Sequence, residues 1–239
     1  MRIVVNHLTR MRGGHVCVAG VDVQTDRHVR PVLDWGSLTP AVLARNRGPF
    51  DMAHVVDLGP VEPRPRPPHV EDHVFSPPGA ELIERLEAEE FWALLYAVSK
   101  PRLREVFGDA LVPMGRSSCG APAGQGRASL GCWRPLRRQA APWIEKGPDG
   151  VLHVRIRIDD GALSRSVPVT DLRLCRDDHT VDPASVRRLA DRLRSPAAVI
   201  LGVGLTRAFA SSSQAEREAV HWLQVNNVHL EDDPTWPLG

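Results

Sequence analysis

The chain has 239 residues, of which 42% are hydrophobic and 25% are charged, with a formal net charge of +1. These are ordinary values for a globular protein with a sizeable core, and they argue against a disordered chain. They also argue against a protein that attracts nucleic acid through its overall charge, so any basic surface has to be local. The cysteines (Cys17, Cys119, Cys132 and Cys175) lack CxxC spacing, and there is no long apolar span or signal-peptide pattern. We therefore expect a reduced, cytoplasmic protein without a membrane segment.

The first third of the chain is predicted to be rich in β-strands. Valine-rich segments bounded by glycine and polar turns predict strands over 2–8, 15–23, 28–33 and 52–58. Thr39-Pro40 has the residue types of a helix start and predicts a short helix through Asn46. Three strands, a short helix and another strand is the order of a small Greek-key barrel of the OB type.

The middle of the chain contains segments of contrasting composition. The proline-rich stretch 59–79 predicts a loop or an extended crossing segment. Ser76-Pro77 then begins a pattern of near-helical spacing that predicts a helix ending at Lys100-Pro101. Residues 115–131 are rich in glycine and serine and predict a long flexible loop, since no GK[ST] follows to make a P-loop.

The last third combines a hairpin, a helix and two further strands. Strict alternation over 151–159, followed by Asp160-Gly161, predicts an antiparallel hairpin with 164–174, in which Ile156 and Ile158 are buried. Asp182-Pro183 predicts a short helix that ends at Ser195-Pro196. Strands are predicted at 198–205 and 221–229, and a capping-box turn at Ser213 and Glu216.

Leu-Thr-Arg occurs twice, at 8–10 and 205–207, each time at the end of an apolar run. Both copies are followed by a loop and a histidine-led apolar stretch. A three-residue match can arise by chance, but the extended similarity favours equivalent strands or a sheet closed by both ends of the chain. In that case Arg10 and Arg207 lie on the same side of the molecule.

Basic residues are concentrated between residues 100 and 138, where eight cations face two anions in a chain of net charge +1. Trp133 and Trp143 lie in or beside this segment. Arginines with aromatic residues are typical of surfaces that bind single-stranded nucleic acid, although a solvated basic face is an equally good interpretation. Arg155 and Arg157 fall on the polar side of the predicted hairpin and could extend such a surface.

No catalytic constellation is evident, because G-x-S-x-G and H-E-x-x-H are both absent. His69 and His73, with Glu71 and Asp72 between them, are weak candidates for a metal cluster within the proline-rich segment. Cys119 and Cys132 with a histidine are a minor alternative as a zinc site. Asp159-Asp160 is more typical of turn chemistry than of acid–base catalysis, because Gly161 follows it. We therefore predict no metal site and no cofactor.

Six stretches of the sequence resemble one family, the prokaryotic dual OB-containing domain proteins. They are HVCVAGVDVQTDRHVRPV (15–32), HVEDH (69–73), GRASLG (126–131), VRIRIDDGALSRSVPVTDL (154–172), LGVGLTRAF (201–209) and HWLQVNNVHLEDDP (221–234). The resemblance implies two OB-type barrels and binding of nucleic acid, in proteins that often occur near mobile elements and anti-invader systems. It does not identify an active site. One departure is Asn226-Asn227, where the family usually has Asn-Gly, and asparagine tolerates a left-handed backbone better than most residues.

Together these observations predict a mainly β protein with a few helices, in which two OB-like Greek-key barrels pack in one compact unit. Residues 1–99 would form the first barrel plus a helix, and 100–239 the second, with C-terminal strands that could complete the first. The expected function is non-catalytic binding of nucleic acid, with single-stranded DNA or RNA favoured. The alternatives are a metal-dependent enzyme acting on nucleic acid or nucleotides, and a protein-interaction subunit of a larger complex. The candidate nucleic-acid-binding residues are Arg10, Arg102, Arg104, Arg116, Arg127, Trp133, Arg134, Arg155, Arg157 and Arg207.

Overall fold

A computed structural model of the protein describes residues 1–115, 118–137, 139–147, 149–195, 197–210 and 218–236. The strands are β1 (Arg2–Arg10), β2 (Val16–Asp22), β3 (His28–Val32), β4 (His54–Asp57), β5 (Glu62–Pro63), β6 (Asp72–Val74), β7 (Glu81–Arg85), β8 (Ser99–Lys100), β9 (Val112–Met114), β10 (Ser118–Pro122), β11 (Leu130–Trp133), β12 (Trp143–Lys146), β13 (Leu152–Asp159), β14 (Ser164–Val169), β15 (Val199–Leu205) and β16 (Val220–Leu230). The α-helices are α1 (Ala88–Val98), α2 (Leu103–Phe107) and α3 (Pro183–Arg192). The protein is therefore mainly β with a few helices, as predicted.

The strands form two sheets, one from each half of the chain. The first has the order β5-β6-β3-β2-β1-β4-β7, and the second has the order β12-β13-β14-β16-β15-β11-β8. Strand β10 pairs with β16 and β9 beside the second sheet. The helices of the described segments include none that is both long and apolar enough to span a bilayer.

Each sheet has its own hydrophobic core, and the two cores meet at β11 and β15. The first core contains residues of β1 to β4 with Phe91 and Leu95 of α1, but also Cys132, Leu172 and Ile200 from the second half. Leu201 and Val203 of the same strand, β15, belong to the second core, whereas Ile200 belongs to the first. Strand β15 is thus covered on both faces, which explains its continuous apolar sequence.

The C-terminal strands pair within the second sheet and do not complete the first by backbone pairing. They contact the first sheet through side chains instead: Asn227 bonds to Leu8, and the His229 imidazole lies 3.1 Å from the Asn6 carbonyl oxygen. Strand β8 also pairs with β11, so Ser99 lies in the second sheet, on the other side of the predicted boundary at residue 99.

The local patterns of the second half predicted its elements well. The hairpin is present, with β13 and β14 antiparallel and Ile156 and Ile158 fully buried. Helix α3 begins after Asp182, whose carboxylate accepts hydrogen bonds from the amides of Ala184 and Ser185. The predicted capping box at Ser213 and Glu216 lies outside the described residues.

Three segments differ from the prediction. The first half of the helix expected after Ser76 is strand β7, an exposed edge strand that pairs with β4; the helix begins only after Glu87, which forms a capping box with Glu90. Residues 40–46 form two short 3-10 helices rather than an α-helix. The glycine-rich loop of 115–131 contains β10, because this segment pairs with the distant strand β16.

The two copies of Leu-Thr-Arg occupy equivalent places in the two sheets. The first ends β1, which lies between β2 and β4, and the second begins at the last residue of β15, which lies between β16 and β11. Arg12, two residues after the first copy, lies 6.0 Å from the ring of Phe209, two residues after the second. The two strands thus end on the same side of the molecule, as the repeat predicted.

Candidate nucleic-acid interface

The outer face of the β12–β14 part of the second sheet carries an aromatic side chain beside two arginines. Trp143 of β12 lies directly opposite Arg155 of β13, so both project from the same face. Arg157 follows two residues later on that face, while Val154 and Ile156 are buried on the other. Trp143 is 40% exposed. This is the face that the alternation of the sequence predicted to be polar.

Neighbouring serines hold the two arginines on the sheet. Arg155 donates from Nε to the hydroxyl of Ser166 at 3.1 Å and from Nη2 to its carbonyl oxygen at 2.8 Å. Arg157 donates to the hydroxyl of Ser164 at 3.3 Å. A guanidinium has five N–H groups, so each arginine keeps donors for a ligand. One carboxylate competes, since Glu145 lies 3.4 Å from Nε of Arg155.

The basic segment 100–138 is only partly free to bind a ligand. Arg104 pairs with Asp109 at 2.7 Å. The Arg127 guanidinium donates to carbonyl oxygens at the C-terminal end of α2, including that of Val106 at 3.3 Å, and therefore caps this helix. Arg102 is exposed and forms no ion pair with any residue that the structure describes. Arg116 lies outside the described residues.

A second place where a cation meets an aromatic ring lies at the end of α1. The Arg134 guanidinium stacks over the Tyr96 ring at 3.9 Å, and Tyr96 is 51% exposed. The amide of Arg134 donates to the carbonyl oxygen of Lys100. The sequence prediction included Arg134 but not Tyr96, because the contact joins residues 38 positions apart and no local pattern marks it.

Trp133 was predicted to contribute to binding, and the structure contradicts this. Its side chain is fully buried in the second core, and its indole Nε1 donates to the carbonyl oxygen of Pro101 at 3.1 Å. A base cannot stack on a ring that has no exposed face. The short run Leu130–Trp133 is buried throughout, so Trp133 is a core residue.

Arg10 and Arg207 both have partners within the protein. Arg10 donates to the carbonyl oxygen of His179 at 3.5 Å. Arg207 donates to Asp72 at 2.7 Å, and the same carboxylate binds the buried Arg30. Each contact links distant parts of the chain.

The acidic and histidine residues of HVEDH (69–73) join the two halves of the protein rather than forming a metal cluster. Both oxygens of Glu71 accept hydrogen bonds from Ser129, from its amide at 2.7 Å and its hydroxyl at 2.8 Å. Arg30 donates from Nη2 to Nδ1 of His69 at 2.9 Å and from Nε to Asp72 at 2.6 Å. In the β13–β14 turn, Asp159 and Asp160 accept hydrogen bonds from nearby backbone amides, which fits the predicted turn chemistry.

A cleft of about 690 Å³ lies between the two halves. Its walls include Arg27 and His28 of the first half and Lys100, Glu105 and Cys132 of the second. Both acidic and basic groups line the cleft, so its charge alone favours no class of ligand.

At one side of the cleft, His7, His28 and Cys132 bring three potential ligand atoms within 4.8 Å of one another. Burial lowers the pKa of His7 well below its usual value and lowers that of His28 to about 4, so both rings are neutral near pH 7. Burial also raises the pKa of the Cys132 thiol to about 12. Cys119 packs in the other core, so it is not Cys132's partner in this cluster.

Comparison with known proteins assigns the chain to a family. No curated protein and no solved structure matches the chain. The model of the dual OB-containing domain family matches residues 1–228, which is nearly the whole chain. The strand-rich architecture and this match agree, and the chain belongs to the dual OB-containing domain family.

Proposed function

We propose that the protein binds single-stranded DNA or RNA without catalysing a reaction, and that the outer face of β12–β14 is the binding surface. The observation that carries this proposal is the placement of Trp143 beside Arg155 and Arg157 on the open side of the sheet. A base can stack on the indole while the guanidiniums contact the phosphates on either side. Membership of an OB-containing family supports the same choice, since OB folds commonly bind nucleic acid through a sheet face and its adjoining loops.

We further propose that each sheet forms the framework of one OB-type barrel, with a division close to residues 1–99 and 100–239. Each sheet draws its strands almost entirely from one side of that division, β8 being the element that crosses it. Four free cysteines suit the reducing cytoplasm. A role close to mobile elements or in anti-invader defence is the context that family membership suggests.

Binding of labelled single-stranded DNA and RNA, followed by fluorescence anisotropy at about 50 mM and about 200 mM salt, tests the proposed surface. Trp143→Ala should weaken binding by about 1–3 kcal/mol per stacked base, with little dependence on salt. Arg155→Ala with Arg157→Ala should reduce the slope of log affinity against log salt by about 1.4, since each phosphate contact on a single strand contributes about 0.7.

Matched controls come from the first half of the chain. Trp35→Ala removes a tryptophan that is 86% exposed, and Arg85→Ala removes an exposed arginine of β7; neither should change affinity. Circular dichroism should show that all variants are folded. If the wild-type protein shows no salt-sensitive binding to any nucleic acid, the proposal fails and the protein-interaction alternative is favoured.

A further inference from the structure

Among the buried groups, the cluster of His7, His28 and Cys132 has the composition of a site for a borderline-soft metal ion. It joins β1, β3 and β11, so its members come from both halves of the protein. The Cys132 sulfur lies 3.8 Å from Nε2 of His28. This separation is close to that of two ligands on one tetrahedral zinc ion, for which Zn–N and Zn–S bonds are about 2.0 and 2.3 Å.

Two polar atoms at this cluster have no hydrogen-bond partner in the described part of the chain. They are Nε2 of His7 and Oδ1 of Asn6, both fully buried. Buried polar atoms in folded proteins are nearly always paired, so these two atoms call for a specific explanation. A metal ion bound to Nε2 of His7 would give this atom a partner.

The surroundings of the cluster are those of a supported metal site. Asn6 donates from Nδ2 to the Cys132 sulfur at 3.3 Å, a bond that stabilises a thiolate. On the far side of its ring, Nδ1 of His7 lies 3.3 Å from Nδ2 of Asn226, whose Oδ1 accepts from Gln224. A His7 that binds a metal through Nε2 carries its proton on Nδ1, so the Asn226 amide has to turn its oxygen toward this nitrogen to orient the ring.

The cluster has both an access route and compensating charge. His28 and Cys132 line the cleft between the two halves, which gives an ion and a water molecule a route to them. A divalent ion with one thiolate and two neutral imidazoles carries a net charge of +1. Among the groups that line the same cleft, the carboxylates favour that charge and two cations oppose it, as does Arg30 from the side of His7; the carboxylates are Asp22, Asp26, Glu71 and Glu105, and the cations are Arg27 and Lys100.

We propose that His7, His28 and Cys132 bind a zinc ion through Nε2, Nε2 and Sγ, with the fourth position open to the cleft. On binding, the Cys132 thiol loses its proton to solvent and two imidazoles remain neutral, so each ion releases one proton. Three protein ligands and an open position are the arrangement of zinc sites that hold a water molecule or a small ligand. The site is independent of the sheet face proposed for nucleic acid.

The test uses the full chain with any histidine tag removed. We expect zinc-loaded protein, after dialysis, to contain one ion per chain by mass spectrometry of the metal. Titration with Co²⁺ should give visible d–d bands together with a thiolate-to-cobalt charge-transfer band. Calorimetry of zinc binding in two buffers of different ionisation enthalpy should report release of one proton per ion.

Variants separate this site from adventitious binding. Cys132→Ser should abolish the charge-transfer band, and His28→Gln should weaken zinc binding by at least about ten-fold. His28 is half-buried at the cleft wall, so its replacement preserves the fold more safely than replacement of His7. Cys17→Ser is the matched control, since this half-buried thiol of β2 lies outside the cluster, and it should leave the band and the affinity unchanged. The proposal is overturned if the wild-type protein retains no zinc, or if Cys132→Ser and His28→Gln both bind the ion as the wild type does.

Discussion

The side chain of Asn227 forms two hydrogen bonds with the Leu8 backbone of the kind that a neighbouring strand would otherwise form. Its Oδ1 accepts from the Leu8 amide at 3.0 Å, and its Nδ2 donates to the Leu8 carbonyl oxygen at 3.0 Å. Strands β1 and β16 belong to different sheets, so this pair of bonds fastens one sheet to the other. Neither Asn226 nor Asn227 has a left-handed backbone, so asparagine at 227 is explained by this contact and not by a turn.

Removing this amide should destabilise the whole protein. Asn227→Ala leaves the buried amide and carbonyl of Leu8 without partners, at about 1–3 kcal/mol each, so we expect a loss of about 2–6 kcal/mol. The free energy of unfolding in urea measures it. The control is Asn46→Ala at an exposed site, where the change should stay below about 1 kcal/mol; equal effects of the two substitutions would show that the Asn227 contact contributes little.

Close packing between the neighbouring strands β15 and β16 of the second sheet should make Gly204 intolerant of a side chain. A Cβ atom at this position would lie 2.5 Å from Nδ2 of Asn226. We expect Gly204→Ala to cost about 1–3 kcal/mol in urea unfolding, as overpacking does elsewhere. Gly79→Ala meets no atom within 4 Å and has no positive φ, so its melting temperature should match the wild type. A neutral Gly204→Ala would mean that the Asn226 side chain moves aside freely.

Asp171 and Arg173 form a buried ion pair, and we expect the loss of either partner alone to destabilise the fold. Arg173 donates from Nε and Nη2 to the two carboxylate oxygens at 2.9 and 2.8 Å, and the amide of Val228 donates to the same carboxylate at 3.0 Å. Arg173→Leu leaves a fully buried carboxylate without its cation and should cost about 3–5 kcal/mol.

The double variant Asp171→Asn with Arg173→Leu tests that explanation, because it removes the uncompensated charge. We expect it to be more stable than Arg173→Leu alone in the same urea experiment. If it is less stable, the loss in the single variant comes from the packing of Arg173 against Trp236.

Buried neutral histidines should make the fold sensitive to mild acid. Burial, with the charges of Arg30 and Arg207, lowers the pKa of His69 to about 2, and burial lowers that of His229 to about 4. Below the ordinary value near 6.5 the unfolded chain takes up these protons and the folded protein does not. Stability is therefore fully present above pH 6.5 and falls as the pH drops below it.

The expected loss approaches about 1.4 kcal/mol per pH unit for each such histidine once the unfolded chain is protonated. Urea unfolding at several pH values between 7.5 and 5, in the presence of a chelator, measures this slope. His69→Gln should reduce the slope of the free energy of unfolding against pH by about 1.4 kcal/mol per pH unit. A His69→Gln slope identical to that of the wild type would show that His69 takes up its proton in the folded state.

Local sequence patterns predicted the elements whose structure is determined by residues close together in the sequence. The alternation of 151–159 with Asp160-Gly161 specifies a hairpin, and Asp182-Pro183 specifies a helix start. The segment 81–85 was assigned to a helix because apolar residues at near-helical spacing do not exclude a strand. Its actual structure depends on β4, a strand about thirty residues away, which the segment itself does not encode.

The candidate site residues also divide into those that a local sequence pattern places correctly and those that it does not. Arg155 and Arg157 were placed correctly on the polar face because period-2 alternation decides it. Trp133 was misplaced because a tryptophan beside arginines has the same sequence pattern whether it is exposed or buried. The sequence offered Cys132 as a zinc ligand only with Cys119 and an unspecified histidine. It did not identify His7 and His28, because His28 and Cys132 are 104 positions apart and have no motif spacing.

The contact between Leu8 and Asn227 also constrains the order of events as the chain is made. The two residues are 219 positions apart, so β1 leaves the ribosome long before its partner exists. Until β16 has been synthesised, the Leu8 amide and carbonyl that bind Asn227 have only water or other proteins as partners. Pairings of such large sequence separation fold slowly and leave the nascent chain prone to aggregation. We therefore expect the synthesis of β16 to be the step that lets the first sheet be fastened to the second.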